Sequence, residues 1–228
     1  MYYGVLASEV SIEVKKRGMT YLSYKKLVTL EAALREVERE NCPGDIVEAG
    51  VARGGAGIVL AKNMSEGRRY WGYDSFESMP EPSEKDGGRA HRRYDEIASG
   101  EAQGIAGKNY YGYEDNLLDT VRDNFEAFGL SVESDKVNLI PGYFEEKFVM
   151  DRDVPVALAH IDCDWYESVS LVLSRVKKSI PKGGVIVVDD YNDYEGAKRA
   201  TKEFTYENRK FSTVKNSSSA TIKRTKSR

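Results

Sequence analysis

The sequence predicts an α/β fold: a mostly parallel, seven-stranded sheet with helices on both faces, closed by a C-terminal antiparallel hairpin. Three observations carry this. Apolar strand-like runs alternate with helix-like runs over most of the chain. Several of those strands run straight into glycine or aspartate. The last two, FSTVK and ATIKR, are joined by a serine-rich turn.

In order along the chain, residues 22–40 repeat Leu27, Leu30, Leu34 and Val37 at helical spacing, with Ser23 as cap and Cys42-Pro43-Gly44 as stop. DIVEAG is a short apolar strand that opens into glycines, and Ile58, Val59, Leu60 and Met64 mark a helix over 55–65. RRYWGYD (68–74) is the second strand. From Ser75 to about Lys108 the pattern disappears, and a polar segment without periodicity inside a compact domain reads as a lid or substrate segment, here 75–110. Leu117, Val121, Phe125 and Phe128 restore a helix over 114–129. Strand 136–142, strand 156–162, helix 166–180, strand 184–190 and helix 195–204 follow, then the hairpin.

The length of 228 residues and 40% hydrophobic content suit one domain over 1–228, with 1–20 as an N-terminal extension. A net charge of −3 with mixed signs gives no electrostatic footprint for nucleic acid. The N-terminus lacks a signal-peptide pattern, no run approaches ~18 apolar residues, and the two cysteines, Cys42 and Cys163, form no disulfide framework. A cytoplasmic protein is expected, with no membrane partner.

In open parallel sheets, ligands bind at the carboxyl ends of the strands. Four clusters fall there: Glu48-Ala49-Gly50 followed by Arg53-Gly54-Gly55; Asp74; Asp162 with Asp164 beyond it; and Asp189-Asp190. Glycines after the first strand let a ligand approach the backbone, and an acid at the end of the next strand suits a ribose diol. The combination points to a nucleoside-containing cofactor. The closing hairpin resembles the methyltransferase version of the Rossmann-like fold (class I), in which Glu48 would face the cofactor's amino-acid portion.

Asp162, Asp189 and Asp190 lie one strand–helix–strand crossover apart, with no Cys or His pair at ligand spacing. They form a hard oxygen site for Mg²⁺, with Ca²⁺ and Mn²⁺ as alternatives. Blander readings hold elsewhere. Asp193 and Asp164 also read as caps or turn residues, His160 as a packed core histidine ahead of a proton relay, Cys163 as a small spacer and NYYGY (109–113) as packing and lid hinge ahead of a stack on a substrate ring. His91 would meet a substrate only if the polar segment folds over the site.

The motifs GDIVEAGVARGGAG, GYDSFESMPEP, HIDCDWYES and GGVIVVDDYNDYEGAKRA together resemble the macrocin O-methyltransferase family over roughly residues 20–205. The resemblance implies a metal- and S-adenosylmethionine-dependent sugar O-methyltransferase. Glu48, Gly50, Arg53, Gly54 and Gly55 would line the cofactor's methionine end, and Asp74 with Ser75 would hold the ribose. Gly142-Tyr143-Phe144 would lie near the adenine, and Asp162, Asp189 and Asp190 would hold Mg²⁺. Cys163 stands where the family has glycine and Trp165 where it has Leu or Met, both on the substrate side. The chain is also short at its N-terminus, which would remove a substrate-covering or oligomer-forming segment. A homo-oligomer is expected from the resemblance.

Two sugar hydroxyls on the ion would leave a carboxylate to take the proton, Asp162 first and Asp164 second, with either able to be ligand and the other base. Three alternatives stand beside this: a catechol-type methyltransferase, for which Trp165 and the tyrosines speak; a nicotinamide-dependent oxidoreductase, whose Tyr-x-x-x-Lys pair (Tyr21, Lys25) precedes the cofactor motif; and a non-catalytic binding protein.

Overall fold

The computed structural model describes residues 7–134, 136–150, 154–215 and 219–225. Its strands β1 (Asp45–Ala49), β2 (Tyr70–Asp74), β3 (Val137–Pro141), β4 (Val156–Ile161), β5 (Val185–Val188), β6 (Phe211–Lys215) and β7 (Ala220–Arg224) form one seven-stranded sheet in the order β3-β2-β1-β4-β5-β7-β6. The first five are parallel, and β7 pairs antiparallel with both β5 and β6. The order reverses between β1 and β4, so the chain crosses away in opposite directions there and leaves a crevice at their carboxyl ends.

Alternation along each strand builds two cores. Ile46 of β1 and Leu158 of β4 point into one core with α1 (Glu9–Lys16), α2 (Tyr24–Arg39), α3 (Gly55–Asn63) and α5 (Leu117–Glu126). Val47, Ala49, Ala159 and Ile161 point into the other, against α7 (Tyr166–Val176) and α8 (Glu195–Glu207). Ser23 caps α2 by accepting from the Lys26 amide, as its position before the apolar repeat predicts.

The structure departs from the sequence expectations in three places. Residues 9–16 of the expected N-terminal extension are a helix, capped by Ser8 and anchored by buried Val14. The 75–110 segment is not structureless: it contains α4 (Gly88–Ala98). Only Ala90 and Ile97 of that helix are buried, two turns apart, so its apolar stripe was too thin to read. The segment is pinned by a small core of Ile97, Ala102 and Tyr110. Buried Asp86 accepts from the Tyr166 amide at 2.8 Å, and Trp165 Nε1 donates to the Pro80 carbonyl at 2.9 Å. Trp165, one of the departures from the family pattern, therefore ties this segment to the start of α7. Finally, β4 and β5 end one residue before their aspartates, and Asp189–Asn192 forms a 3-10 turn. The short helix α6 (Phe144–Lys147) and a 3-10 turn at Tyr111–Tyr113 complete the elements among the described residues.

Candidate active site

Two clefts open at the carboxyl edge of the sheet. The first is lined by Gly50, Asp74, Ser75, Gly142, Tyr143 and Phe144, together with Glu77, and spans about 660 Å³ to its open mouth. The second is lined by Lys26, Arg89, Arg93, Asp189, Asp190 and Tyr194 among others. The two share Met79, Tyr111, Asp162 and Asp164, so these residues form a common wall.

The floor of the first cleft is backbone. Gly50 has φ +92°, and a Cβ there would stand 1.9 Å from the Asp162 carbonyl oxygen. Only glycine lets β1 and β4 close at the crevice, where the Asp162 amide donates to the Ala49 carbonyl at 2.8 Å. Gly50→Ala is expected to destabilise the protein by roughly 2–5 kcal/mol, from left-handed strain plus overpacking, and to abolish ligand binding in this cleft. Urea unfolding with and without S-adenosylhomocysteine measures both.

Asp74 is oriented by the glycine turn. Its carboxylate accepts from the amides of Val51 (2.7 Å), Ala52 (3.0 Å) and Phe76 (2.8 Å). Burial raises its carboxyl above the ordinary value against the pull of these amides. The amides thus take three of the carboxylate's acceptor positions, and the Ser75 hydroxyl beside it also favours the charged form. Glu77, which the sequence reading passed over, lines the same cleft and holds the Tyr143 hydroxyl at 3.2 Å.

Four expected cofactor residues do not line the cleft. Glu48 is buried beneath it, its carboxylate bonded to the Tyr70 hydroxyl and to His160 Nδ1 (2.8 Å). Register puts Glu48 beside His160 on β4 and Gly72 on β2, and the missing side chain at Gly72 makes room for the Tyr70 hydroxyl. His160 is thus the packed core histidine expected. Arg53 turns its guanidinium to the Asn109 carbonyl and Glu114, fastening the end of the polar segment. Gly54 and Gly55 serve packing: a Cβ on Gly54 would meet Phe125 at 2.9 Å, and one on Gly55 the Met19 carbonyl at 2.4 Å. Alternation and turn geometry in three dimensions decide these orientations, and a glycine-rich string does not reveal which side of the turn each glycine serves.

In the shared wall, carboxylate oxygens of Asp162, Asp189 and Asp190 all lie within 4.8 Å of one another. Such a hard-oxygen set fits a divalent ion. Burial and the neighbouring carboxylates raise Asp162 and Asp164 well above the usual carboxylate range and Asp190 to about 7. A positive partner is present that the sequence reading missed. Lys26 Nζ, from α2, lies 2.5 Å from Asp189, 2.6 Å from Asp193 and 3.9 Å from Asp190. It is separated from Asp189 by 163 positions, so no local motif could have joined them. Asp193, read as a turn residue, is its second partner.

Asp164 stands outside the three-carboxylate group at φ +57°, the left-handed region that aspartate tolerates at some cost. Its amide donates to Asp190 Oδ2 at 3.3 Å. Cys163 also lines the first cleft, and burial with the surrounding aspartates raises its thiol well above the ordinary value. It stays protonated, as suits a spacer. His91 lines neither cleft.

The macrocin-O-methyltransferase (TylF) family model matches residues 8–217. The chain belongs to this family. A Streptomyces olivaceus relative, 8-demethyl-8-(2,3-dimethoxy-alpha-L-rhamnosyl)-tetracenomycin-C 4'-O-methyltransferase, is 33% identical over 176 residues, covering 75% of this chain and 62% of its own length. The demethyldecarbamoylnovobiocin O-methyltransferase of Streptomyces niveus is 30% identical over 195 residues, covering 81% and 67%. The matches thus span roughly three fifths to two thirds of these relatives. Among solved structures, the O-methyltransferase NovP superposes with a TM-score of 0.72 at 24% identity, over 94% of this chain and 88% of its own, which shows the class I methyltransferase fold. The family assignment agrees with the resemblance read from the four motifs.

Proposed function

We propose that this protein is a divalent-metal-dependent O-methyltransferase that moves a methyl group from S-adenosylmethionine to a hydroxyl of a sugar or glycoside. The observation that carries the reading is the shared wall: a ligand in each cleft would meet at Asp162 and Asp164. Family membership and relatives named for sugar-modifying methylation support it. We place its work in the cytoplasm, as a homo-oligomer; among the described residues no helix is long and apolar enough to cross a membrane.

Gly50, Asp74, Ser75, Glu77 and the Gly142–Phe144 turn would bind the cofactor, with Asp74 accepting from one ribose hydroxyl. When bound, S-adenosylmethionine supplies a methyl on a sulfonium: the carbon–sulfur bond breaks as the oxygen–methyl bond forms, and S-adenosylhomocysteine is left. Asp162, Asp189 and Asp190 would hold the ion, which supplies Lewis acidity to a sugar hydroxyl. Of the two aspartates named as base, Asp164 fits better, because Asp162 belongs to the three-carboxylate group and Asp164 does not. As the free carboxylate it would take the hydroxyl proton. Tyr110, Tyr111 and Tyr194 line the second cleft and would lie against the apolar face of a sugar ring. They would equally stack an aromatic diol, which is the second reading.

The test is the thermal unfolding midpoint with S-adenosylhomocysteine, with NAD, or with neither, in Mg²⁺ and in EDTA. A rise of several degrees with S-adenosylhomocysteine alone is expected, since a ligand of the folded state stabilises it by mass action. A rise with NAD alone, or with neither, refutes the reading. Glycoside and catechol acceptors assayed side by side separate the two substrate classes.

A further inference from the structure

The second cleft carries charge of both signs: Asp162, Asp164, Asp189, Asp190 and Asp193 with Lys26 line it, and α4 adds Arg89 and Arg93. The two arginines are four residues apart, one helical turn, and so share a face. Each is held by an aromatic ring of the same cleft. The Arg89 guanidinium carbon lies 5.4 Å from the Tyr194 ring centroid, and that of Arg93 5.2 Å from the Tyr110 centroid.

Their donors are largely unspent. A guanidinium carries five N–H groups. Arg89 gives one interaction to the Asp193 carbonyl (2.9 Å) and, among the described residues, pairs with no carboxylate. Arg93 gives Nη1 to Glu96 at 3.0 Å, a pair on the solvent side whose Glu96 partner is 56% exposed, the kind that contributes little. Arg89 spends one of its donors tying α4 to the turn at Asp193, and a neutral sugar would not call for the rest. A planar fork with free donors, stacked on a ring, is the geometry that takes phosphate or carboxylate.

The geometry points to an acceptor that carries an oxyanion, a phosphate or a carboxylate attached to the sugar, gripped by Arg89 and Arg93 while its hydroxyls face Asp162 and Asp164. This rests on the second cleft being the acceptor site of the proposed methyltransferase. With its anionic group held by the two arginines, such an acceptor would keep its hydroxyls free to face the shared wall. The polar segment that contains α4 thereby selects the substrate through charge as well as shape.

Calorimetric titration of the full chain, saturated with Mg²⁺ and S-adenosylhomocysteine, tests this with three probes: uridine diphosphate glucose, methyl glucuronide and neutral methyl glucoside. The bound S-adenosylhomocysteine keeps the uridine out of the cofactor cleft. At least one anionic sugar is expected to bind tenfold or more tightly than the neutral one, with the advantage shrinking as salt rises. Phosphate or carboxylate is identified by which of the two shows it. In the Arg89→Ala, Arg93→Ala double variant that advantage is expected to vanish while affinity for S-adenosylhomocysteine stays within about twofold. An Arg89→Lys, Arg93→Lys variant keeps the charge without the fork and is expected to retain only part of the advantage, which covers the case in which the alanine variant fails to fold. Equal binding of all three sugars, binding of none, or a preference that survives in the alanine variant overturns the oxyanion proposal. Failure of S-adenosylhomocysteine to bind instead overturns the methyltransferase reading beneath it.

Discussion

Asp164→Asn is expected to leave the protein folded and able to bind S-adenosylhomocysteine, yet to slow methyl transfer by roughly 10²–10⁴-fold, the usual worth of a positioned general base. The substitution is chosen for its backbone. Asp164 sits at φ +57°, and asparagine tolerates the left-handed region about as well as aspartate, so only the proton-accepting charge is removed. Asp164→Ala would mix that loss with backbone strain of about 1 kcal/mol or more. Single-turnover rates of the two variants, with S-adenosylhomocysteine affinity measured in parallel, separate chemistry from binding. A rate within tenfold of the parent for Asp164→Asn would return the base role to Asp162.

The second large effect concerns Asp162, Asp189 and Asp190. Asp190→Asn is expected to reduce Mg²⁺-supported methyl transfer on the order of 10³-fold, because the ion would lose a ligand at the point where charge develops. Stability should move the other way. In EDTA, carboxyls whose folded pKa is raised bind more protons folded than unfolded, so stability falls as pH rises from the unfolded value of about 3.9. For Asp190 the fall continues to about 7. The loss over that window is on the order of 2–4 kcal/mol. Lys26, whose ammonium the aspartates hold above its ordinary value, stays charged throughout the window and limits the loss without removing it. Mg²⁺ should flatten the fall, and Asp190→Asn should both raise the midpoint in EDTA near pH 7 and weaken the response to Mg²⁺. Thermal unfolding between pH 4 and 8, with Mg²⁺ or EDTA, measures it. A midpoint in EDTA that does not fall with pH, or one that Mg²⁺ leaves unchanged, would show that Lys26 alone satisfies the carboxylates.

The chain's linear order determined a good deal. Strand–helix alternation and the closing hairpin specified the seven-stranded sheet, because apolar period and turn chemistry are local properties. Parallel strands with acidic or glycine ends had to gather at one edge, so Gly50, Asp74, Asp162, Asp189 and Asp190 were legible as neighbours there before any coordinates. The four motifs also carried the family.

Tertiary structure alone decided the rest, for one physical reason: a side chain's partner is set by which face of its element meets which neighbour across the fold. Glu48 was visible as an acid at a strand end, but pairing with His160 and the space left at Gly72 turned it into the core. Arg53, Gly54 and Gly55 flank the right turn and yet serve the packing behind it. Lys26 lies on an amphipathic helix far away in sequence, and only the fold brings α2 to the end of β5 and the lysine to Asp189. The thin apolar stripe of α4 hid a helix that Asp86, Trp165 and the Ile97–Tyr110 cluster fasten in place, with Arg89 and Arg93 lining the second cleft.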